Sequence, residues 1–209
     1  MAEQYHLDVL RQGIEVWNQW RQEHHSIQPD FSGADFREAQ LRRVNLAGAR
    51  LNGADLSGAD ISESLLIRAD LSEAILSQAN LVSADLQGAN LRAAILSHAN
   101  LSDAILSEAV LSEADLAGAI LTGAEVTGTD FSGADFSDAD LSGIDFSRAN
   151  THGARLGKAY FSRRSAMLLD DSYRESLRTY MQPEQGKQRV GIDAEDLDER
   201  VHEDWANDE

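Results

Sequence analysis

The chain is 209 residues long, carries a formal net charge of −18 and contains no cysteine, which allows one domain with terminal appendages. Without a thiol there is no disulfide framework, no thiolate metal site and no cysteine nucleophile. The excess of 36 acids over 18 basic residues argues against direct nucleic-acid binding, which needs clustered Lys and Arg.

The N-terminus, MAEQYHLDVLRQG, has no basic stretch followed by an apolar run. Nowhere do apolar residues approach the ~18–20 in a row of a membrane helix. A cytoplasmic chain with no membrane contact is the expectation. Residues 5–22 read as one helix, because Leu7, Leu10, Ile14, Trp17 and Arg21 recur at helical spacing beside Trp20. Pro29 ends any helix. Residues 1–28 are thus expected to form a helical cap that lays Trp17 on the segment after Pro29, with a partner-binding helix as the other reading.

From Phe31 to Phe161 a large apolar residue recurs every five positions without a slip, giving 27 centres, all Leu, Ile, Val or Phe except Thr151. Two residues before the centre, 22 of the 27 are Ala; the exceptions are Pro29, Val44, Ser64, Thr129 and Ile144. One residue before the centre, 16 of the 27 are Asp or Asn. Five is neither the helical nor the strand period. A short extended Ala-x-Leu unit with both apolar residues on one side, followed by a corner, satisfies it. Stacked units then form a solenoid with Ala and Leu inside.

Units such as Ala54-Asp55-Leu56-Ser57-Gly58, Ala79-Asn80-Leu81 and Ala134-Asp135-Phe136-Ser137-Asp138 resemble the A(D/N)LXX consensus of the pentapeptide-repeat family. The preceding segment Gly13 to Arg21 is similar to the lead-in of bacterial, particularly cyanobacterial, members. The resemblance implies an all-β solenoid, a right-handed quadrilateral β-helix of about 27 pentapeptides over residues 29–163, nearly seven coils. Coils ~4.8 Å apart make a rod roughly 32 Å long. Open solenoid ends need caps.

Residues 164–182 read as a second helix, with Leu169, Tyr173, Leu177 and Met181 as an apolar stripe that caps the last coil or joins a homodimer. Residues 183–209 read as an acidic linker and tail. Residues 193–209 within it form one short helix or, in the favoured reading, a solvated tail.

Chemistry is hard to find. His6, His24, His25, His98, His152 and His202 have no metal-ligand spacing and read as surface residues. Serines follow the centres as repeat residues, and glycines recur every five as turn residues, without a G-x-S-x-G or phosphate-loop motif. An unbroken register leaves no insertion to build a pocket. No enzymatic activity, cofactor or metal is expected.

Outward residues carry the function in this reading. Residues 31–50 hold Arg37, Arg42, Arg43 and Arg50 against Asp35 and Glu38, whereas residues 111–150 hold eight acids against Arg148. Asp115, Glu125, Asp130, Asp135, Asp140 and Asp145 are the candidate partner-binding residues, ringing two successive coils. Asp is also the repeat's consensus residue, and a second candidate surface is Ile75 stacked with Ile95. The expected function is a rigid acidic rod presenting side chains to a protein partner of basic character. The alternative, implied by quinolone-resistance relatives, is a DNA mimic that binds gyrase. About 32 Å of duplex carries ~19 charges. Residues 30–162 carry a net charge of −10, with 19 acids against nine basic residues. That is half the required density.

Overall fold

The computed structural model describes residues 3–161. Two helices, α1 (Gln4–Leu10) and α2 (Ile14–Glu23), precede a long stack of short extended units. Every unit except that of Asp145 contributes an isolated parallel bridge, and each bridge joins residues twenty apart: Asp30 with Arg50, Asp35 with Asp55, Gln40 with Asp60, Asn45 with Leu65, and so on up the rod. Twenty residues are four units of five, so one coil has four sides. We number the faces by their columns of bridge residues: face one from Asp30, face two from Asp35, face three from Gln40, face four from Asn45.

The corner explains the period. At Phe31-Ser32-Gly33-Ala34 the Ala34 N–H donates to the Phe31 carbonyl (2.9 Å), and Gly33 takes φ +67°. A four-residue turn with its third residue in the left-handed region suits glycine. Yet 14 such corners carry other residues, from Glu38 to Lys158. Ladder bonds from both neighbouring coils hold these corners in place despite the steric cost of a side chain there.

Inside, the expectation for Ala and the large centres holds. From Ala49 to Leu121 the side chains two before the centre and at the centre, Ser64 included, are at most 1% exposed. Ala lets opposite walls approach, and the leucines fill the remaining space. Of the 27 centres only Leu156, near the end of the described residues, is partly exposed.

The N-terminal segment differs from the single helix expected. Gly13, at φ +117°, breaks it into α1 and α2, and tight bonds from Gln12 N–H to Val9 and Gly13 N–H to Leu10 close α1. Both helices pack on the first coil. Trp17 is fully buried against Phe31 (ring centroids 5.3 Å) and donates its indole N–H to the Asn45 carbonyl (2.8 Å). Asn18 accepts the Asn45 N–H and donates to the Arg43 carbonyl. Arg21 donates to the carbonyls of Ile27 and Ala47, and Glu3 N–H reaches the Asp30 carbonyl. These groups satisfy backbone atoms that a preceding coil would otherwise bond. Burial without a carboxylate lowers the Arg21 pKa.

His6 overturns the surface reading of the histidines. It is 2% exposed, edge-on to Trp17, Trp20 and Phe31, and its Nδ1 accepts the Asp30 N–H (3.2 Å). Trp17→Phe should keep most of this packing and strand the Asn45 carbonyl. The expected loss is about 1–3 kcal/mol, read from the urea midpoint; an unchanged midpoint would mean that water replaces the indole.

The ladder has one fault. Gly128 N–H bonds the Arg148 carbonyl, one residue beyond the regular partner, and no bridge joins Glu125 to Asp145. Arg148 alone among the described corner residues lacks a positive φ. Ile144 is 1% exposed and stands where Ala104 and Ala124 stand in the coils below. A branched four-carbon side chain in an alanine slot requires the wall to move outward.

Candidate functional site: the outer faces of the rod

The residue before each centre points outward at a corner's approach, and its chemistry is local. In all 16 units where it is Asp or Asn, its Oδ1 accepts the backbone N–H two residues on, at 2.9–3.2 Å. This is an Asx turn, and it needs a short side chain with an oxygen one carbon beyond Cβ. Serines one after the centre add a hydroxyl bond to the same oxygen, as Ser57 to Asp55 and Ser137 to Asp135 (both 2.6 Å).

Columns of these residues manage their charge in two ways. Where Asn stands above Asp, its amide donates downward: Asn80 to Asp60, Asn90 to Asp70, Asn150 to Asp130. Where Asp stands above Asp, an arginine is adjacent. Arg37 forks onto Asp35 (2.9 and 2.6 Å) beneath Asp55, and Arg155 reaches Asp135 (2.7 Å) above Asp115. Arg42 and Arg43 both bind the Glu63 carboxylate. The arginines of residues 31–50 are thus largely committed within the rod.

Of the six predicted partner-binding residues, Asp115 and Asp135 pair on face two, as expected. Asp130 lies on face one, Asp140 on face three, and Glu125 and Asp145 on face four at the ladder fault. They do ring the rod. The expected stack of Glu125 beneath Asp145 does not form a bridge, because of the displacement at Ile144. The five aspartates among them each form an Asx turn. Ile75 and Ile95 pair as predicted; Ile95 is exposed and Ile75 half-buried. Leu169, Tyr173, Leu177 and Met181 lie outside the described residues. Among the described residues no three His, Asp or Glu converge on a metal-sized site, and no helix is long and apolar enough to cross a membrane.

Hydrogen bonds to the charged form hold several carboxyls below their ordinary range. The Arg37 guanidinium holds Asp35 at about 2. The Ser32 N–H and hydroxyl lower Asp30, and the Ser62 hydroxyl lowers Asp60. Burial opposes ionisation of Asp135, but Arg155 and Ser137 outweigh it. The folded values lie below the unfolded value of ~3.9, so this stabilisation is full above about pH 4 and is lost as pH falls through the folded values. The thermal midpoint should therefore decline between about pH 4 and 2. At neutral pH, Asp60→Ala should cost about 1–3 kcal/mol, because Ser62 N–H, Ser62 Oγ and Asn80 Nδ2 all lose their acceptor. Asp60→Asn, which keeps an oxygen there, should cost much less; equal losses would remove the Asx explanation.

A four-sided ladder with 20-residue coils, alanine slots and Asx corners is what a run of five-residue repeats must build. The family model for pentapeptide repeats matches the chain in eight copies, spanning residues 30–66, 59–97, 94–133 and 124–163. The chain belongs to the pentapeptide repeat family. Among solved structures it is similar to HetL, a pentapeptide repeat protein involved in heterocyst differentiation regulation in the cyanobacterium Nostoc sp., at 32% identity over 70% of this chain and 72% of that one (TM-score 0.43). It is also similar to a pentapeptide repeat protein from the cyanobacterium Cyanothece, at 25% identity over 66% and 92% of the two chains (TM-score 0.45). A trypsin-treated form of QnrB1, a plasmid-mediated fluoroquinolone resistance protein, matches at 23% identity over 72% and 88% (TM-score 0.45). No curated protein matches the chain.

Proposed function

We propose that this pentapeptide repeat protein is a non-enzymatic interaction module, a rigid rod capped at its N-terminal end by α1 and α2, whose outward columns meet a basic protein partner. The observation that carries this reading is the placement of Asp115, Glu125, Asp130, Asp135, Asp140 and Asp145 over all four faces within a short length of rod. A cationic groove meets several carboxylates whichever way the rod lies. The rigid ladder preorganises them, which lowers the entropy lost on binding.

The test is the variant with all six changed to Asn, measured against the partner captured from the source cell. Asn already forms the same Asx turn at Asn45, Asn80, Asn90, Asn100 and Asn150, so folding should be nearly unchanged. Affinity should fall and lose its salt dependence, because screening acts on exposed charges over ~8–10 Å. Unchanged affinity at both low and high salt would move the interface to the Ile75 and Ile95 side or to the helices. A gyrase supercoiling assay separates this reading from DNA mimicry. The low charge density of the rod supports no inhibition as the expected result.

A further inference from the structure

Where faces two and three meet, the rod carries a strip without Asp, Glu, Lys or Arg. On face two Asp55 and Asp115 enclose Ile75 and Ile95; on face three Asp60 and Asp140 enclose Asn80, Asn100 and Ile120. The corner between them holds Ser77 with Gln78, Ser97 with His98, and Ala117 with Gly118. The diagonally opposite edge, where face four meets face one, carries Asp85, Glu108, Glu125 and Asp130 over the same coils. The strip also suits burial. Its polar groups are spent on one another: the Ser77 and Ser97 hydroxyls bond (3.0 Å), the Asn80 amide donates to Asp60 (3.0 Å), and Asn100 Oδ1 accepts the N–H and the hydroxyl of Ser102. Groups already paired lose little when water is removed. Ile95 and Ile120 are 39% and 40% exposed, so apolar area is available to a partner. His98 adds no ridge, because its ring lies across Gly118, where a β-carbon would come within 2.4 Å of Nδ1. A centre depleted of charge inside a polar rim is the composition of an interface core.

We propose that this strip is where the partner docks, with an uncharged contact over Ile95 and Ser97 and basic residues at the upper rim; the inference rests on the reading of the rod as a module for a basic protein. Of the six acids named above, it selects Asp115 and Asp140. These two and Asp138 border the strip above and form no salt bridge among the described residues, whereas Asp135 beside them is held by Arg155. Asp55 and Asp60 border it below. Charge therefore favours a different protein over a second copy of this chain. Parallel copies packed strip to strip oppose each aspartate with itself, and antiparallel copies bring the upper acids of one toward the lower acids of the other. Lys or Arg at the partner's rim turns the same positions into attraction.

The probe is the protein that the unaltered full chain captures from the source cell, purified and titrated back. Ser97→Lys and Ser107→Lys place one ammonium at the same height on diagonally opposite corners. Circular dichroism verifies that both variants fold. Ser97→Lys should weaken binding about tenfold or more, because a charge enters an uncharged contact beneath the partner's own cations, and Ser107→Lys should change it by less than about twofold. Asp115→Asn with Asp140→Asn should lose most of the affinity that the sixfold Asn variant loses. Equal effects of the two lysines, or a larger effect of Ser107→Lys, overturns the proposal and leaves the acidic-rod reading standing. So does full affinity in the Asp115→Asn, Asp140→Asn variant when the sixfold variant weakens. Full affinity in the sixfold variant overturns the reading and the proposal together, as does a chain that captures no protein. A dimer in sedimentation of the chain alone that Ser97→Lys dissolves overturns the proposal too, since the occupant is then a second copy.

Discussion

Deleting Leu81 alone should destabilise the protein far more than excising the whole coil 71–90. Every bridge joins residues twenty apart, so one missing residue shifts all later units against the coil below. If the register is kept in space, the inward slots receive Val82, Gln87, Arg92 and Ser97 in place of Leu81, Leu86, Leu91 and Leu96. Polar and charged side chains in that interior are prohibitive. If the chain instead absorbs the loss locally, it still forfeits Leu81, at about 2–5 kcal/mol, along with a corner. Excision of 71–90 keeps both phase and face. It places Ile95 over Asp55, Asn100 over Asp60 and Ile105 over Leu65, and brings Glu108 above Arg68. A solenoid that loses one internal coil loses one nearest-neighbour interface and keeps both ends. Thermal midpoints by far-ultraviolet circular dichroism decide it. Equal losses in the two variants would refute the stacked-coil architecture.

What was legible in the sequence was what repeats. The five-residue period, the alanine slots and the outward position before each centre follow from counting, because a periodic interior admits few side chains. The exceptions were visible but mute. Ile144 stood out in the alanine column, yet its effect, a ladder displaced at Gly128 and Arg148, depends on how much room the opposite wall leaves. The acid-rich column was read as charge, whereas the structure gives it a first task in the turn. That distinction needs the corner's backbone geometry, which composition does not carry. Helical spacing ran through Gly13 from Leu10 to Ile14, so one helix was expected; a glycine's left-handed φ breaks it. His6 carried no signal at all. Its surroundings come from Tyr5, Trp17, Trp20 and Phe31, which only the packing of α1 and α2 on the first coil brings together. The uncharged strip is likewise a tertiary fact. It exists only where coils of twenty bring residues 75–80, 95–100 and 117–120 side by side.

Leu86→Lys should be the most harmful single substitution in the middle of the rod, with a cost upwards of about 4 kcal/mol. Leu86 is fully buried, in a column with Leu46, Leu66 and Leu106; its N–H donates to the Ile105 carbonyl in the ladder and its carbonyl accepts the Ala89 N–H at the corner. An ammonium there finds leucine and alanine on all sides, because the acids of neighbouring units face outward. The four closed walls also deny the long side chain the escape to water that a surface helix offers. The folded protein must therefore hold the lysine neutral, with a depressed pKa, or open the coil. The unfolded lysine keeps its proton up to ~10.4. Folding then releases a proton at neutral pH, so the variant should gain stability as pH rises toward that value. Two companions fix the scale. Ala84→Leu, which overfills an alanine slot, should cost about 1–3 kcal/mol with no such pH dependence. Ser97→Lys places the same ammonium on the outside, where Ser97 meets the Ser77 hydroxyl at 3.0 Å, and should be nearly neutral. If Ser97→Lys proved as damaging as Leu86→Lys, or if Leu86→Lys failed to recover at high pH while still folded, the assignment of inside and outside along this column would be wrong.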